Sequence, residues 1–496
     1  MKKHIYLALV LLICSIGGIA LSSSCQKMER PEMNIIPDPA DDGTIRVLTI
    51  GNSFSEDAVE NYLYDLAKAE DVPIVIGNLY IGGATLAQHQ KNVEENNGAY
   101  SFRKIDRDGN KTTVASTSIA TALTSERWTH ISFQQESSNS GMYDSWVEPL
   151  PIVYDYVAAR ATKNNPDVKF LLHQTWAYAQ NSTHTGFANY GNNQMDMYEA
   201  IIDAVNRAKE LVAIDLVVPA GTAIQNGRTS VVEDNFTRDG YHLNLSIGRY
   251  TAACTWFEAL TGKSPIGNSF KPTGMSDFEA EIAQNAAHTA IAKPLEVTPM
   301  TDFQGGNSGP LESAVLLDFG NNLASENWNH INSFLAGTRI NLKDSLGSYV
   351  GIALEITERF NSVNTNGPES SEAFDNMPSN VSKYSYFGNS KGPFNGITVL
   401  KSVFDISGLD PNLTYNLCFF GSRGGVSDNR ETKYTSKGTN EVSVSLNTSN
   451  NVSNKVCANG ITPNAEGTIT VTVTSGENNT NGSGFYYLSA ARLTSN

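Results

Sequence analysis

The stretch RVLTIGNSFSEDAVENYLYDLAKA, residues 46–69, contains two patterns in succession. An apolar run that ends at Ile50 is typical of a strand buried on both faces of a sheet. After the turn GNSF, apolar residues recur at helical spacing, which predicts a helix. A buried strand that leads directly into a helix is the repeating unit of a parallel sheet covered by helices. The stretch therefore predicts an α/β fold.

Four further apolar runs repeat this arrangement, each bounded by glycine, proline or polar residues. The runs are PIVIGNLYI (73–81), THISFQ (129–134), VKFLLHQ (168–174) and AIDLVVPAG (213–221). The later helical patterns are LPIVYDYVAARATKN (150–164), QMDMYEAIIDAVNRAKELV (194–212), LSIGRYTAACTWFEALTG (245–262) and SDFEAEIAQNAAHTAIAK (276–293). We therefore predict a three-layer α/β/α domain, flavodoxin-like in layout, with a five-stranded parallel sheet over residues 43–295.

The pattern changes after a linker that we place at residues 296–311. From 312 to 496, short alternating strand patterns are separated by runs rich in Asn, Ser and Gly. This is typical of an antiparallel β-sandwich. The segment is similar in texture to the jelly-roll modules attached to bacterial glycan enzymes, so we expect a jelly-roll-like domain that is a candidate for carbohydrate binding. We assign no binding residues there. Tyr486 and Tyr487 are candidates for contact with sugar, but alternation along a strand buries one of the two, so core packing is the expected role.

Acidic residues outnumber basic ones, with 51 Asp and Glu against 35 Lys and Arg and a formal net charge of −16. Such a surface repels a phosphate backbone, so nucleic acid is not an expected partner. Hydrophobic residues make up 40% of the chain, which is enough for a large buried core. The composition predicts a globular protein of two or three domains.

The first 25 residues resemble a bacterial lipoprotein signal. A basic start precedes an apolar run over 5–20, and small residues lead into Cys25. In such signals the cysteine is acylated and anchors an otherwise soluble protein to a membrane. We therefore expect a signal peptide over 1–24, a lipidated Cys25 and a polar tether over 25–42. This places the protein at the outer membrane, the cell surface or in the periplasm; an ordinary signal peptide with an incidental cysteine is the alternative.

Three other cysteines would remain in the exported chain. Cys254 lies in an apolar helical pattern and is expected to pack in the core. Cys418 and Cys457 both lie in the C-terminal region and are candidates for one disulfide bond, although spacing alone leaves open whether they meet. None of these cysteines has CxxC spacing, so we predict no metal site.

The four letters GNSF occur twice, at 51–54 and at 267–270. The first copy ends a predicted strand and opens a predicted helix, so Ser53 lies where parallel sheets bind their ligands and where helix N–H groups are unsatisfied. The second copy follows Pro265, has no strand before it and runs into another turn that contains proline. We therefore predict chemistry at Ser53 and a loop at the second copy.

A serine nucleophile needs a base, and the segment DNFTRDGYHLNLSIGRY (234–250) offers one. Asp239 and His242 are three residues apart on an irregular loop before a long helix. This spacing allows the carboxylate to bond one imidazole nitrogen while the other nitrogen faces outward. His242 is therefore the predicted base and Asp239 the acid that orients it.

Together these residues resemble the SGNH (GDSL-like) hydrolases, which carry a Gly-Asn-Ser block after the first strand and Asp-x-x-His near the domain end. Those enzymes have a three-layer α/β fold and cleave esters, often acetyl or other acyl groups on carbohydrates and lipids. The resemblance covers residues 43–295. It implies that Ser53 is the nucleophile, His242 the general base and Asp239 its orienting acid.

The resemblance also implies donors for the oxyanion. The family's second block places a glycine after the second strand, and Gly83 in IGGATLAQH is our choice. The third block normally ends in Asn, but this chain has SFQQESSNSG and resembles instead the carbohydrate acetylesterases that use Gln. Gln134 is the predicted amide donor, with Gln135 and Asn139 as alternatives.

Other polar and aromatic residues near predicted strand ends have structural alternatives. His89, His173 and His184 are expected to line the pocket or to be structural, because only His242 has an acid at this spacing. For Trp176 and Tyr178, stacking on a sugar ring and core packing both stay open.

The resemblance therefore implies a serine ester hydrolase that removes acyl groups, in particular acetyl, from a polysaccharide or oligosaccharide. This mechanism requires no metal or organic cofactor. The alternative is a catalytically inactive, glycan-binding surface lipoprotein, and the altered third block is the feature that leaves this alternative open.

Overall fold

The structure, a computed structural model, describes residues 42–306, 309–320 and 325–496. It contains an N-terminal α/β domain and a β-rich C-terminal region, each with its own large hydrophobic core. The predicted signal peptide, Cys25 and all of the predicted tether except its last residue lie outside the described residues. Within the described ranges, no helix is both long enough and apolar enough to cross a membrane.

The N-terminal sheet has seven strands. They are β1 (Ile45–Gly51), β2 (Ile74–Tyr80), β3 (Tyr100–Ile105), β4 (Lys111–Thr117), β5 (His130–Phe133), β6 (Lys169–His173) and β7 (Leu216–Val218). Their order is β4-β3-β2-β1-β5-β6-β7. Five neighbouring strands, β2, β1, β5, β6 and β7, are parallel and correspond to the five predicted runs.

The prediction of a five-stranded sheet was wrong, because an antiparallel hairpin, β3 and β4, extends the sheet beyond β2. Six of the seven β4 residues are exposed, so this edge strand carries no apolar run. The hairpin turns at Asp106, whose Oδ1 accepts hydrogen bonds from the backbone N–H groups of Asp108 and Asn110, both at 2.9 Å. A polar edge strand is recognised by its turn and not by its hydrophobicity.

The helices of the N-terminal domain cover both faces of the sheet. They are α1 (Ser53–Val59), α2 (Leu63–Ala69), α3 (Leu86–Glu94), α4 (Ile119–Leu123), α5 (Asp144–Val147), α6 (Pro149–Asn164), α7 (Gln194–Ala208), α8 (Ala220–Gly227), α9 (Ile247–Thr261) and α10 (Asp277–Ala292). The segment after the first GNSF turn, which the sequence predicts as one helix, forms the two helices α1 and α2. Asn61 lies at the break and its Nδ2 donates to the carbonyl of Glu56 at 3.1 Å, a side-chain bond that ends α1.

The described residues of the C-terminal region form one short helix, α11 (Ser379–Lys383), and three sheets. Their strands are β8 (Val315–Asp318), β9 (Asn329–His330), β10 (Arg339–Lys343), β11 (Tyr349–Glu358), β12 (Ser362–Asn364), β13 (Ser385–Phe394), β14 (Ile397–Val399), β15 (Ser402–Ser407), β16 (Tyr415–Phe420), β17 (Glu431–Lys437), β18 (Glu441–Asn447), β19 (Val456–Ile461), β20 (Ile469–Ser475), β21 (Phe485–Leu488) and β22 (Ala490–Ser495). The sheets have the orders β10-β11-β15-β20-β17-β18, β12-β13-β14 with β21 on β13, and β19-β16-β22-β8-β9.

Two sequence features of this region have defined places. Cys418 and Cys457 lie opposite each other on β16 and β19 and are joined by a disulfide. Tyr486 and Tyr487 are both buried, so both belong to the interior of the region. In the N-terminal domain, Cys254 is buried in α9 and is a free cysteine.

The described part of the predicted linker packs on the α/β domain. Thr298 N–H donates to Asn226 Oδ1 at 2.7 Å, and Met300 N–H donates to Thr229 Oγ1 at 2.8 Å. The side chain of Met300 is buried in the N-terminal core. Residues 296–306 are therefore held along α8 by hydrogen bonds and apolar packing.

Candidate active site

The nucleophile candidate lies at the carboxyl end of β1. Ser53 is the first residue of α1, and Asn52 caps this helix by accepting the N–H of Phe54 at Oδ1, at 3.0 Å. An Asn in this position satisfies a helix N–H that otherwise has no partner. The strand therefore ends in a sharply defined turn that presents the Ser53 hydroxyl at the edge of the sheet.

Ser53, His242 and Asp239 form one hydrogen-bonded chain. Ser53 Oγ lies 2.9 Å from His242 Nε2, although the two residues are 189 positions apart in the sequence. His242 Nδ1 lies 2.7 Å from Asp239 Oδ2. Since a carboxylate only accepts, Nδ1 carries the hydrogen and Nε2 is free to accept the Ser53 hydroxyl proton. The structure thus brings together the three residues that the sequence singled out.

The loop that carries Asp239 and His242 is held together by backbone hydrogen bonds between its two ends. Thr237 and Leu243 form an antiparallel bridge across it, and Arg238 N–H donates to the carbonyl of His242 at 2.9 Å. Gly240 at the tip has φ +90°, and a Cβ there would lie 3.0 Å from Ser182 Cα. A glycine is required at this position, because any side chain would be strained and would meet the neighbouring backbone.

The carboxylate of Asp239 is stabilised in its charged form. Burial alone would raise its pKa, but the ring of His242 and the backbone N–H groups of His242 and Tyr241 donate to it and together hold the pKa below its ordinary value. The side chain of His242 is 19% exposed and that of Asp239 39%. The acid therefore stays ionised beside an imidazole that solvent and a substrate can reach.

Buried aromatic side chains pack beside the site and connect its two parts. Phe54 stacks on Trp176 with ring centroids 4.4 Å apart, and Trp176 Nε1 donates to the carbonyl of Tyr241 at 2.8 Å. Trp176 and Tyr178 are fully buried, so the question left open by the sequence is decided in favour of core packing. The stack links the first turn of α1 to the residue beside His242.

The predicted oxyanion glycine lies on a turn next to the nucleophile. Ile81 N–H donates to the carbonyl of Gly51 at 3.3 Å, and Ala84 N–H closes the turn onto Ile81 at 3.2 Å. Asn52 Nδ2 donates to the carbonyl of Ala84 at 3.1 Å. Gly83, at φ +64°, is exposed on this turn. One side chain, Asn52, therefore joins the turn of Ser53 to the turn of Gly83.

The side-chain amide of Gln134 is buried and hydrogen-bonded. Its side chain is only 2% exposed, and Nε2 donates to Asn52 Oδ1 at 2.6 Å while Oε1 accepts from His173 Nδ1 at 3.0 Å. One hydrogen of Nε2 therefore holds Asn52, and the role of Gln134 as an oxyanion donor through the other hydrogen stays a prediction. The sequence shows only that Gln134 follows β5, and the partners of its amide, Asn52 and His173, come from other parts of the chain.

The two alternatives to Gln134 differ in their environment. Gln135 is buried, accepts from Leu86 N–H at 2.9 Å and donates to the carbonyl of Ser145 at 2.9 Å, so it connects α3 with α5. Asn139 is half-buried on a 3₁₀ turn (Ser137–Asn139), and its side-chain amide makes no hydrogen bond within the described residues. Of the three amides, that of Asn139 is the one with no hydrogen bond to the residues that the structure describes.

The other candidate histidines have structural environments. Burial lowers the pKa of His89 to about 4 and that of His173 to about 3, so both are neutral at physiological pH. His89 contacts Tyr100 Oη at 2.8 Å. His184 Nδ1 accepts the N–H of Gly186, and its ring packs against Tyr241, the neighbour of His242.

One charged residue of the site was not singled out from the sequence. Asp57 is buried on α1 and bonds to Arg238, Leu243 and Arg249, all in or beside the loop of His242. Its position four residues after Ser53, on the same side of a helix, is a signal that the sequence does contain.

The second GNSF copy is a loop, as predicted. Asn268 is buried and its Nδ2 donates to the carbonyl of Leu66 at 3.1 Å, while Ser269 is exposed. Gly267 has φ +79°, and the copy lies outside every helix and strand of the described chain.

A family model described as "Domain of unknown function (DUF4886)" matches residues 46–290. The crystal structure of a DUF4886 family protein from Bacteroides uniformis is 50% identical to this chain, covers 52% of it and is itself covered over 99% of its length, with a TM-score of 0.51. The chain belongs to the DUF4886 family. The family model ends at residue 290 and does not extend into the C-terminal region of this DUF4886 protein.

Other solved structures are similar to the DUF4886 domain at low identity. One is a protein from Slackia heliotrinireducens assigned to the SGNH hydrolases, with 21% identity, coverage of 44% of this chain and 98% of that one, and a TM-score of 0.28. Another is a catalytic mutant of an acetylxylan esterase from Geobacillus stearothermophilus, with 14% identity, coverage of 44% and 94%, and a TM-score of 0.29. No curated protein matches the chain.

The chemistry available to this DUF4886 domain follows from the hydrogen-bonded chain. A hydroxyl whose proton an adjacent imidazole can take is an activated nucleophile, and a carboxylate on the far ring nitrogen stabilises the imidazolium that forms. The geometry is therefore suited to nucleophilic attack by Ser53.

Proposed function

We propose that the N-terminal domain is a serine ester hydrolase. The observation that carries the proposal is the contact of 2.9 Å between Ser53 Oγ and His242 Nε2, with Asp239 2.7 Å from the other ring nitrogen. Nucleophile, base and orienting acid are the three groups that acyl transfer to a serine requires.

In the proposed reaction, Ser53 Oγ attacks the ester carbonyl while its proton passes to His242 Nε2. Asp239 accepts from Nδ1 throughout and stabilises the imidazolium. The tetrahedral intermediate then releases the alcohol, which takes the proton from Nε2, and leaves an acyl group on Ser53. A water molecule attacks this acyl-enzyme with His242 again as base, so that the acid is released and the serine regenerated. The steps require no metal or organic cofactor.

For the oxyanion we propose the backbone N–H groups of Ser53 and Gly83 as donors, with the Asn139 amide as the third donor in place of Gln134. Two observations support the choice of Asn139. Its side-chain amide makes no hydrogen bond to the described residues, and Asn139 lies in the loop after β5. Loss of one such donor lowers kcat by about 100- to 1,000-fold. Asn139→Ala should therefore lower kcat in aryl acetate hydrolysis in this range, and an unchanged kcat would remove Asn139 from the site.

We further propose that the substrate is an acylated, in particular acetylated, polysaccharide or oligosaccharide. The support is the resemblance of the Ser53 and His242 motifs to the SGNH hydrolases. The lipoprotein-like start ending at Cys25 supports export and anchoring to a membrane, and the strand-rich texture of 312–496 supports a jelly-roll-like sandwich that binds carbohydrate. Acetate release from a panel of acetylated polysaccharides, measured with the full chain, tests the substrate class.

The central test compares two serines that follow the same letters. Ser53→Ala should lower kcat for an aryl acetate by at least about 1,000-fold and leave the circular dichroism spectrum unchanged. Ser269→Ala, in the second GNSF copy, should leave kcat unchanged, because this serine is exposed in a loop. Full activity in the Ser53→Ala protein would refute the proposal. If the unaltered protein binds acetylated polysaccharide but releases no acetate, the inactive glycan-binding alternative holds instead.

A further inference from the structure

A buried carboxylate lies one helical turn beyond the proposed nucleophile. Asp57 is 1% exposed and occupies position i+4 relative to Ser53 on α1. Side chains at this spacing emerge from the same side of a helix. Ser53 and Asp57 therefore both face the loop of His242.

Asp57 is hydrogen-bonded through both of its oxygens. Leu243 N–H donates to Oδ2 at 2.8 Å, and Arg238 Nη1 lies 3.0 Å from the same oxygen. Arg249 reaches Oδ1 with Nε at 2.8 Å and with Nη2 at 2.7 Å. These donors come from the loop 237–243 and from the first turn of α9.

The contacts of Asp57 enclose the residues proposed to do the chemistry. Arg238 precedes Asp239, and Leu243 follows His242. Arg238 also bonds within the loop, through its N–H to the carbonyl of His242 and through Nη1 to the carbonyl of Leu243. The single carboxylate thus binds the loop at both ends, on the same rigid helix that starts with Ser53.

We propose that Asp57 is a positioning residue for the proposed reaction: it sets the distance between Ser53 Oγ and His242 Nε2 by fixing the loop 237–243 to α1. The proposal rests on the proposed function. A displacement of about 1 Å in a reacting group lowers the rate by about 100-fold, so a group that only holds the loop has a large effect on turnover. Asp57 is a buried carboxylate that pairs with two guanidinium groups. Loss of its charge would leave the charges of Arg238 and Arg249 without this partner.

Asp57→Asn is the decisive variant, because it keeps the size of the side chain and removes its charge. We expect kcat for an aryl acetate to fall by about 10- to 100-fold, with KM within about twofold of the parent value. The second-order rate of Ser53 modification by a fluorophosphonate should fall by a similar factor, because this reaction needs the same Ser53–His242 contact and no particular substrate. A kcat within twofold of the parent in the folded variant, or a loss confined to KM, would overturn the proposal.

Glu279→Gln is the matched control. Glu279 is also a buried carboxylate that accepts a backbone N–H, that of Tyr349 at 2.9 Å, but its contacts are with the C-terminal region. We expect its kcat and fluorophosphonate rate to equal those of the parent even where its thermal midpoint is lowered. An equal loss of kcat in both variants would show that Asp57 acts through general stability, against the proposal.

If Asp57→Asn does not fold, Arg249→Gln tests the same inference from the other partner. It removes one guanidinium and leaves Arg238 and Leu243 N–H on the carboxylate, so we expect a smaller fall in kcat, about threefold to tenfold, with KM unchanged. An unchanged kcat would count against the proposal. Two outcomes separate the two proposals. If the proposed function is wrong, the Ser53→Ala variant keeps full activity. If only the positioning role is wrong, the Ser53→Ala variant is inactive and the Asp57→Asn variant is active.

Discussion

At the scale of single residues, two asparagines make the same local hydrogen bonds, but only one of them lies beside the proposed nucleophile. Asn52 and Asn268 both follow glycine and precede serine, and each accepts the N–H of the residue two positions later at 3.0 Å. Both also donate through Nδ2 to a backbone carbonyl at 3.1 Å, that of Ala84 or of Leu66. The local motif is therefore the same, and the difference lies in what each turn is attached to.

The attachment of Asn52 predicts a different result for the same mutation at the two positions. Asn52→Ala removes the link to Ala84 and leaves the buried Gln134 amide without its acceptor, so we expect a loss of about 1–2 kcal/mol in unfolding free energy and at least a tenfold fall in kcat. Asn268→Ala should cost a similar free energy and leave kcat unchanged. Denaturant unfolding and aryl acetate hydrolysis measure both. Equal kcat values for the two variants would contradict the supporting role of Asn52.

At the scale of elements, strands that are buried on both faces and strands at an edge follow different rules. The strands β1 and β2 are buried almost throughout, whereas β4 is exposed except at its last residue. In the C-terminal region, β17 and β20 alternate between buried and half-buried residues, as antiparallel strands with one covered face do. Central strands therefore appear in a sequence as apolar runs, and edge strands appear through their turns.

The disulfide gives a prediction for two such elements. Cys418 and Cys457 pair directly across β16 and β19 and are 39 residues apart, so the bond closes a loop of that length. Cross-linking a loop of this size stabilises a fold by about 2–4 kcal/mol, mainly by restricting the unfolded chain. Replacing both cysteines by alanine should lower the unfolding free energy of the full chain by that amount.

The control for this experiment is chemical reduction. Dithiothreitol should destabilise the parent protein and have no effect on the double alanine variant, because Cys254 is buried and unpaired in either case. A double variant with the parent's stability would show that the bond between β16 and β19 contributes nothing to the fold.

At the scale of the whole molecule, the first residue of β11 joins the two parts of the chain. Tyr349 N–H donates to Glu279 on α10, and its carbonyl accepts from Ser276 Oγ at 2.6 Å. Its hydroxyl accepts from Asn235 Nδ2 at 3.3 Å, in the segment that leads to the loop of His242. The ring also packs against the N-terminal core. The β-rich region is thus bonded to the same domain that holds the proposed active site.

The buried carboxyl group in this contact predicts a dependence of stability on pH. Burial raises the pKa of Glu279 to about 7, against the opposing effects of Tyr349 N–H, Ser348 and Lys343. Since the folded pKa lies above the ordinary value of 4.5, the folded state binds this proton more tightly than the unfolded state. The contribution of Glu279 is full below pH 4.5 and is lost as pH rises through 7. Relative to Glu279→Gln, the parent should lose about 2–3 kcal/mol of unfolding free energy between pH 5 and pH 8.

The comparison with Glu279→Gln isolates this group, because other titrating side chains contribute equally to both proteins. Thermal or denaturant unfolding at several pH values measures the difference. A constant difference between pH 5 and pH 8 would mean that Glu279 titrates as an exposed carboxyl does, and that its burial against Tyr349 does not perturb it.

The sequence by itself determined the parallel strands, the long helices and the positions of Ser53, Asp239 and His242. Periodicity and the residues at a strand-to-helix turn are properties of neighbouring residues, so they can be read along the chain. The spacing Asp-x-x-His is equally local. For the same reason, the sequence distinguished the Ser53 copy of GNSF from the copy that ends at Phe270.

Only the tertiary structure decided which groups meet across the fold. The polar hairpin β3–β4 joins the sheet through backbone bonds that leave no hydrophobic pattern. Gln134 holds Asn52, 82 positions away, and Asp57 receives Arg238 and Arg249 from 181 and 192 positions away. Hydrogen bonds and ion pairs of this kind depend on distance in space, which side-chain type and order along the chain do not record. The physical reason is that a buried polar group needs a hydrogen-bond partner, and the folded chain decides which groups lie close enough to serve as one.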